Sequence, residues 1–307
     1  MTSDGVDALV TPGGTARLLR TLGVRPRKHW GQHFLVDAHA LAQILSAADL
    51  SKQDTVLEVG AGLGTLTAAL APRVRRVIAV EVDEALVPSL RSAVAPWSNV
   101  QVICADIMTL DRAALFAPDD SPRKVVANLP YNLASALVVE LLEQPLGLRR
   151  LVVTVQREVA ARMAARPATS DYGVLSIAVQ YRADVSVVEN LPTSAFFPAP
   201  EVESAVVRLD VRAQPACVVH DESLFFRVVR AAFSQRRKTI RNALAGGVPM
   251  PAADAAEACQ HAGIAPMRRG ETLDLAEFAA LTDAVAPMLS GERNARRARE
   301  GVAHHHD

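Results

Sequence analysis

The chain has 307 residues, half of them hydrophobic, enough for two domains with apolar cores. Lysine plus arginine balance aspartate plus glutamate at 33 each, so the overall charge neither demands nor excludes an anionic partner, and only local clustering carries information. No apolar run approaches the ~18–20 residues of a membrane span, and the opening MTSDGVDALVTPGG lacks the basic and apolar regions of a secretory leader, so a cytoplasmic protein with no membrane partner is expected.

Ahead of residue 50 lies an arm with a basic and aromatic stretch, RPRKHWGQHFL at 25–35. Over residues 55–156 the runs TVLEVG, RVIAVEV, VQVICAD, KVVANL and RLVVTVQ read as strands, separated by the helix-like TLTAALAPRV, DEALVPSLRSAV and ASALVVELLEQ. The strand runs are continuous rather than alternating, the mark of strands covered on both faces. Repeated strand, helix, strand builds a doubly wound parallel sheet. VSVVENL and AVVRLDV then follow one another across the proline-rich AFFPAPEVES without a helix, which predicts an antiparallel hairpin closing the sheet. From residue 221 onward ESLFFRVVRAAFSQ, KTIRNALAGG, AADAAEACQHAG and DLAEFAALTDAVAPML are helical, and GERNARRARE reads as a frayed tail. The predicted division is an arm and helix over 1–50, a cofactor-binding catalytic domain over 51–212, a helical RNA-binding domain over 213–290 and a disordered tail over 291–307. Cys104, Cys217 and Cys259 are odd in number and far apart with no CxxC pair, so buried free thiols are expected, with neither a disulfide framework nor a metal site. His304, His305 and His306 read as a solvated tail or the remnant of a tag and carry no argument.

LEVGAGLGTLT, residues 57–67, sets Gly60, Gly62 and Gly64 where the first of these strands hands over to its helix. Glycine there tolerates the tight turn and lets a ligand approach the backbone. Alone, such a corner also suits a nicotinamide dinucleotide. Two strand-end carboxylates sharpen it. Glu81 is placed to hydrogen-bond a ribose diol and Asp106 to accept from the exocyclic amine of an adenine, while Asp83 and Glu84 read as a helix start. The G-x-G-x-G spacing, with NLPY (128–131) on the next strand, favours S-adenosylmethionine, which has no pyrophosphate to cradle. The fold class expected is α/β: a Rossmann-like sheet of the S-adenosylmethionine-dependent methyltransferase kind with a small all-helical C-terminal domain.

An adenine amine is a feeble nucleophile because its lone pair is delocalised into the ring. The amide oxygen of Asn128 and the backbone carbonyl of Leu129 are placed to accept one N–H each, drawing the nitrogen toward tetrahedral geometry and aiming it at a methyl donor. Pro130 stiffens the turn, Tyr131 stacks on an extruded base, and Phe197 is the candidate for a second stacking wall opposite it. The plainer possibility is that Asn128 caps the helix beginning near Leu133 and Tyr131 lies in the core.

RPRKHWGQHFL, LEVGAGLGTLT, NLPYN, SAFFPAPEVESAVVRL (194–209) and FSQRRKTIRNAL (233–244), in that order, make the chain resemble the ribosomal RNA adenine N6-dimethyltransferases, specifically the small-subunit dimethyladenosine transferases of the kasugamycin-sensitivity type. The resemblance implies transfer of four methyls from S-adenosylmethionine to two adjacent adenosines in a hairpin near the 3′ end of 16S rRNA, within the immature small ribosomal subunit, by a monomer. It also implies cofactor contacts at His33, Leu35, Gly60, Glu81, Asp106 and Asn128, with Gly62 beside them. His33 stands where the family usually has asparagine, and Trp30 where phenylalanine is common.

Two segments are locally basic: Arg25, Arg27 and Lys28 beside Trp30 and Phe34, and residues 225–244 with Arg227, Arg230, Arg236, Arg237, Lys238 and Arg241 and no acid. Charge runs usually mark a solvated helix face, but clustered with aromatics they suit phosphate contacts and base stacking on RNA. The rivals are an erythromycin-resistance-type methylase acting on large-subunit rRNA and a non-catalytic RNA-binding factor of the same fold.

Overall fold

Runs such as TVLEV and RVIAVE are apolar and β-branched along their whole length, so as strands they bury both faces. The computed structural model describes residues 10–27, 31–116, 121–235 and 237–303, with side chains through residue 289. In chain order it comprises α1 (Pro12–Leu22), β1 (Phe34–Leu35), α2 (Ala38–Ala48), β2 (Thr55–Val59), α3 (Thr65–Leu70), β3 (Arg76–Glu81), α4 (Val87–Val94), β4 (Val100–Cys104), α5 (Arg112–Leu115), β5 (Arg123–Asn128), α6 (Ala134–Glu143) and β6 (Leu148–Gln156). There follow α7 (Arg157–Ala164), α8 (Val174–Gln180), β7 (Ala183–Leu191), β8 (Phe196–Phe197), β9 (Ser204–Val211), α9 (Glu222–Phe233), α10 (Ile240–Gly247), α11 (Ala252–His261) and α12 (Leu275–Ala303).

The chain forms two units: residues 1–164 with 182–213, and residues 165–181 with 214–307. In the first, a seven-stranded sheet runs β4-β3-β2-β5-β6-β9-β7. Strands β4 through β6 are parallel, and β9 lies antiparallel to both β6 and β7, the hairpin that the helix-free passage predicts. Ile44 of α2, Leu90 of α4 and the inward residues Val56, Val77, Val126, Val152 and Val206 share one apolar core. Buried Lys124 pins the start of β5, its Nζ donating to Asp54 Oδ2 at 2.8 Å and to the carbonyls of Ala48 and Asp49. Because the parallel strands keep register, with Val59 opposite Val80 and Glu81 opposite Cys104, β2, β3, β4 and β5 all end along one carboxyl edge. A separate two-stranded pairing sets Phe34 of β1 against Phe197 of β8.

The second unit is helical and is built on rings. Tyr181 stacks on Phe225 with centroids 5.1 Å apart, Tyr172 meets Phe233 edge-on at 5.8 Å, and the Tyr172 hydroxyl donates to the Leu273 carbonyl at 2.9 Å. Residues 165–181 therefore depart from the expected 51–212 domain, because Tyr172 and Tyr181 find their apolar partners in the later helices. Helix α12 continues to Ala303, through the stretch expected to be disordered. Cys259 is buried and Cys217 half-buried, but Cys104 is exposed, since it ends the edge strand β4. Among the described residues there is no helix long and apolar enough to cross a membrane and no metal-ligating cluster.

Candidate active site

The carboxyl edge opens into a cleft whose free space, open mouth included, is about 920 Å³. His33, Leu35, Gly60, Gly62, Glu81, Asp106, Asn128, Leu129, Pro130 and Tyr131 all line it. These candidates come from five separate stretches of chain, gathered by the sheet. Phe197 is not brought to the cleft. It pairs with Phe34 across β1 and β8 and packs on the apolar cluster of Leu19, Phe34, Leu63 and Leu86, the last three of which line the cleft.

The glycine corner is built differently from its simplest reading. Gly60 and Gly62 both have left-handed φ, +73° and +55°, which favours glycine at each; at Gly62 a Cβ would also press on the Phe34 ring, 3.1 Å away, whereas at Gly60 it would meet the Pro130 ring at an ordinary contact distance of 3.4 Å. The Glu81 carboxylate holds the loop from the next strand: Oε2 accepts from Gly62 N at 2.7 Å and Oε1 from Asp83 N at 2.9 Å. Burial raises the Glu81 pKa above its ordinary value, and these two backbone N–H groups offset part of the shift. Each carboxylate oxygen has two acceptor sites, so the group retains capacity for hydroxyls. Asp106 is exposed and shapes its own turn, Oδ1 accepting from Met108 N at 2.9 Å.

Three side chains escape the sequence reading. Glu58, 2% exposed in β2, lines the cleft, and its Oε2 meets no hydrogen-bond partner among the described residues. Burial pushes its carboxyl up to about 8; the Thr67 hydroxyl, itself short of hydrogen-bond geometry, offsets part of that and the neighbouring Glu81 charge adds to it. A carboxylate inside an otherwise apolar buried strand was the available signal. Asp83 does not start a helix, since α4 begins at Val87. Its 1%-exposed side chain accepts from Gln32 Nε2 at 2.9 Å and lies 3.8 Å from Arg27 Nε. Ser204 ends the polar side of AFFPAPEVES, and its Oγ lies 2.5 Å from the Tyr131 hydroxyl.

Glu58 gives a sign-specific test. An unfolded glutamate ionises near 4.5, whereas the folded one keeps its proton to about 8. Between those values folding takes up a proton, so stability falls as pH rises. Thermal melts of the cofactor-free Glu58→Gln variant should gain on wild type steadily from about pH 5 to pH 8 and level off above. A difference constant with pH would contradict the assignment.

Asn128 ends β5 with its side chain in the cleft. Its Nδ2 donates to the His33 carbonyl at 2.8 Å, and since that carbonyl can only accept, the amide must be turned so that Oδ1 is the other end. This excludes a helix-capping role: α6 begins at Ala134 with Leu133 as its cap and no capping side chain. Leu129 is buried, with its N–H given to the Thr154 carbonyl at 3.2 Å. Tyr131 is half-buried, and burial keeps its phenol above the usual range, hence neutral.

The basic residues fall in both units. Arg25 and Arg27 are exposed on the arm, and Arg237 and Lys238 are exposed ahead of α10, with Arg241 half-buried in it, its Nε donating to Asn242 Oδ1. Lys28, Trp30, Arg236 and His304–His306 lie outside the described residues.

The donor set fits S-adenosylmethionine: an unpartnered buried carboxyl suits an ammonium group, a second suits ribose hydroxyls and Asp106 an adenine amine. The model for the family described as ribosomal RNA adenine dimethylase matches residues 23–282. The "Ribosomal RNA small subunit methyltransferase A" of Geobacillus kaustophilus is 44% identical over 288 residues, covering 92% of this chain and 98% of its own, and that of Moorella thermoacetica is 45% identical over 284 residues, covering 90% and 98%. Among solved structures, a dimethyladenosine transferase from Plasmodium falciparum aligns with a TM-score of 0.69 at 25% identity over 80% of this chain and 95% of that one. The 23S rRNA methyltransferase ErmE aligns at 0.63 and 28% identity over 81% and 98%. The fold is that of the S-adenosylmethionine-dependent methyltransferases, and the chain belongs to the ribosomal RNA adenine dimethylase family.

Proposed function

We propose that this chain dimethylates N6 of two adjacent adenosines in a hairpin near the 3′ end of 16S rRNA, acting in the cytoplasm as a monomer on the immature small subunit. The observation that carries the reading is the Asn128 amide, oriented by the His33 carbonyl so that its oxygen is free to accept, beside the Leu129 carbonyl and the Tyr131 ring.

S-adenosylmethionine supplies, when bound, an electrophilic methyl. Glu58 receives the cofactor's ammonium, Glu81 its ribose hydroxyls and Asp106 its adenine amine, with Gly60, Gly62, His33 and Leu35 closing the cleft around it. Asn128 Oδ1 and the Leu129 carbonyl accept the two N–H hydrogens of the target amine and turn its lone pair outward, so positioning carries most of the rate. Tyr131 offers the target base a neutral ring face, and the proton lost from the amine passes to water. Arg25, Arg27 and Lys28 on one unit and Arg236, Arg237, Lys238 and Arg241 on the other hold phosphates.

Small-subunit substrate is favoured over the large-subunit alternative by identity: the small-subunit methyltransferases of Geobacillus kaustophilus and Moorella thermoacetica stand at 44–45%, ErmE at 28%. Tritiated methyl transfer to each purified subunit from an unmethylated strain tests this. Label is expected in N6,N6-dimethyladenosine of the small subunit; label in the large subunit, or in neither, would overturn the reading.

A further inference from the structure

We propose that the buried Asp83 carboxylate is a positioning residue for methyl transfer, holding through Gln32 the segment whose His33 carbonyl orients the Asn128 amide. The inference rests on the N6-adenosine reading above and adds to it a residue that acts only through others.

Asp83 stands behind the cleft: Gln32, His33 and Asn128 line it, and Asp83 does not. A carboxylate 1% exposed is costly to keep out of water unless hydrogen bonds hold it. Its Oδ1 accepts from Ala85 N at 3.2 Å within its own turn, its Oδ2 accepts from Gln32 Nε2 at 2.9 Å, and Arg27 Nε lies 3.8 Å away. The first bond serves the local turn; the second reaches 51 positions back along the chain. Gln32 is fixed at both ends of its amide, because its Oε1 accepts from Arg27 N at 2.8 Å. A carboxylate only accepts and a backbone N–H only donates, so this amide has a single orientation.

Residue 33 follows directly. Its carbonyl accepts from Asn128 Nδ2 at 2.8 Å, the bond that leaves Oδ1 to face the target amine. On the carboxyl side the segment is anchored three times: the His33 ring Nδ1–H donates to the Pro198 carbonyl at 2.7 Å, Phe34 pairs with Phe197, and Val36 N donates to the Ala195 carbonyl at 2.8 Å. On the amino side Gln32 supplies the hydrogen bonds, and Gly31 adds contact, pressed so closely on the catalytic turn that a Cβ would sit 3.2 Å from Tyr131 N. Without the Asp83 carboxylate the His33 carbonyl is braced firmly from one side only, and a misplacement near 1 Å at a reacting centre costs on the order of 10²-fold. Asp83 also donates its backbone N–H to Glu81 Oε1 at 2.9 Å, beside the ribose site. A side-chain substitution keeps that bond, which separates an effect on the amide from an effect on the cofactor.

The test is a double-mutant cycle read by single-turnover methyl transfer to unmethylated small subunits at saturating S-adenosylmethionine, with cofactor affinity by calorimetry and thermal melts alongside. Asp83→Ala should slow transfer about ten- to hundredfold while cofactor affinity changes by no more than about threefold. In Asn128→Ala protein, where no amide is left to aim, the same substitution should cost less than about twofold. Gln32→Leu should reproduce the loss, and adding it to Asp83→Ala should slow transfer by no more than about twofold further. Equal losses with and without the Asn128 amide would overturn the proposal and leave Asp83 a general support of its loop. So would unchanged transfer in Asp83→Ala, or a fall in cofactor affinity that accounts for the lost rate. Where melts show Asp83→Ala unfolded, Gln32→Leu carries the same cycle from the other end of the bond and is judged by the same outcomes. Wild-type protein that transfers no methyl to adenosine N6 would instead sink the parent reading, a result separable from any of these.

Discussion

Replacing Asn128 with alanine should lower single-turnover methyl transfer to small subunits by about 10²–10³-fold, the scale seen when one preorganised hydrogen-bonding group is removed from a reacting centre. The amide nitrogen is committed to the His33 carbonyl at 2.8 Å, so the oxygen is the free end and cannot be exchanged for the nitrogen without setting two acceptors against each other. The second acceptor, the Leu129 carbonyl, is fixed because its own N–H is tied to Thr154 in the neighbouring strand. With alanine at 128 the target amine keeps one acceptor and its lone pair stays delocalised into the ring. Binding of cofactor, measured by calorimetry, should fall far less than turnover. Asn128→Asp offers an acceptor but opposes the His33 carbonyl, and should lie between the two. Undiminished N6 methylation by Asn128→Ala would remove the basis of the proposed mechanism.

Glu81→Ala should invert that pattern, weakening S-adenosylmethionine binding by about 10²-fold with turnover at saturation much less affected. Two losses combine. The ribose hydroxyls lose their acceptor, and the N–H groups of Gly62 and Asp83 are left without the carboxylate that now takes both, at about 1–3 kcal/mol for each buried donor left unpaired. The second loss loosens the glycine corner itself, so the variant should also melt at lower temperature. Glu81→Gln keeps one acceptor oxygen and puts an NH₂ against the other backbone donor, which predicts an intermediate affinity. Full cofactor affinity in Glu81→Ala would show that the carboxylate serves the loop alone.

The sheet was legible because its information is local: TVLEV, RVIAVE and KVVAN are continuously apolar, and the missing helix between VSVVENL and AVVRLDV announces the antiparallel turn. The cleft followed from that topology, since parallel strands must deliver Gly60, Glu81, Asp106 and Asn128 to one edge. What was not legible depends on distant partners. Asp83 does accept from Ala85 N in its own turn, but its other carboxylate oxygen is taken by a glutamine 51 positions earlier. Phe197 carries the right ring, but its strand pairs with Phe34, 163 positions earlier, and it packs on the apolar cluster around that residue. Glu58 stood in plain view within LEVGAG, and only the fold shows that, among the described residues, its buried Oε2 meets no hydrogen-bond partner.

The second unit is stitched from two pieces of chain, and this fixes an order of events during synthesis. Residues 165–181 leave the ribosome before the sheet has received β7 and β9, and the rings that Tyr172 and Tyr181 meet, Phe233 and Phe225, emerge only later. For that interval Tyr172, Leu175, Ile177, Val179 and Tyr181, all buried in the finished molecule, are exposed apolar surface on a nascent chain. Shortening the protein at residue 213 would make that interval permanent, so a soluble catalytic core requires excision of residues 165–181 as well as removal of the carboxyl-terminal helices.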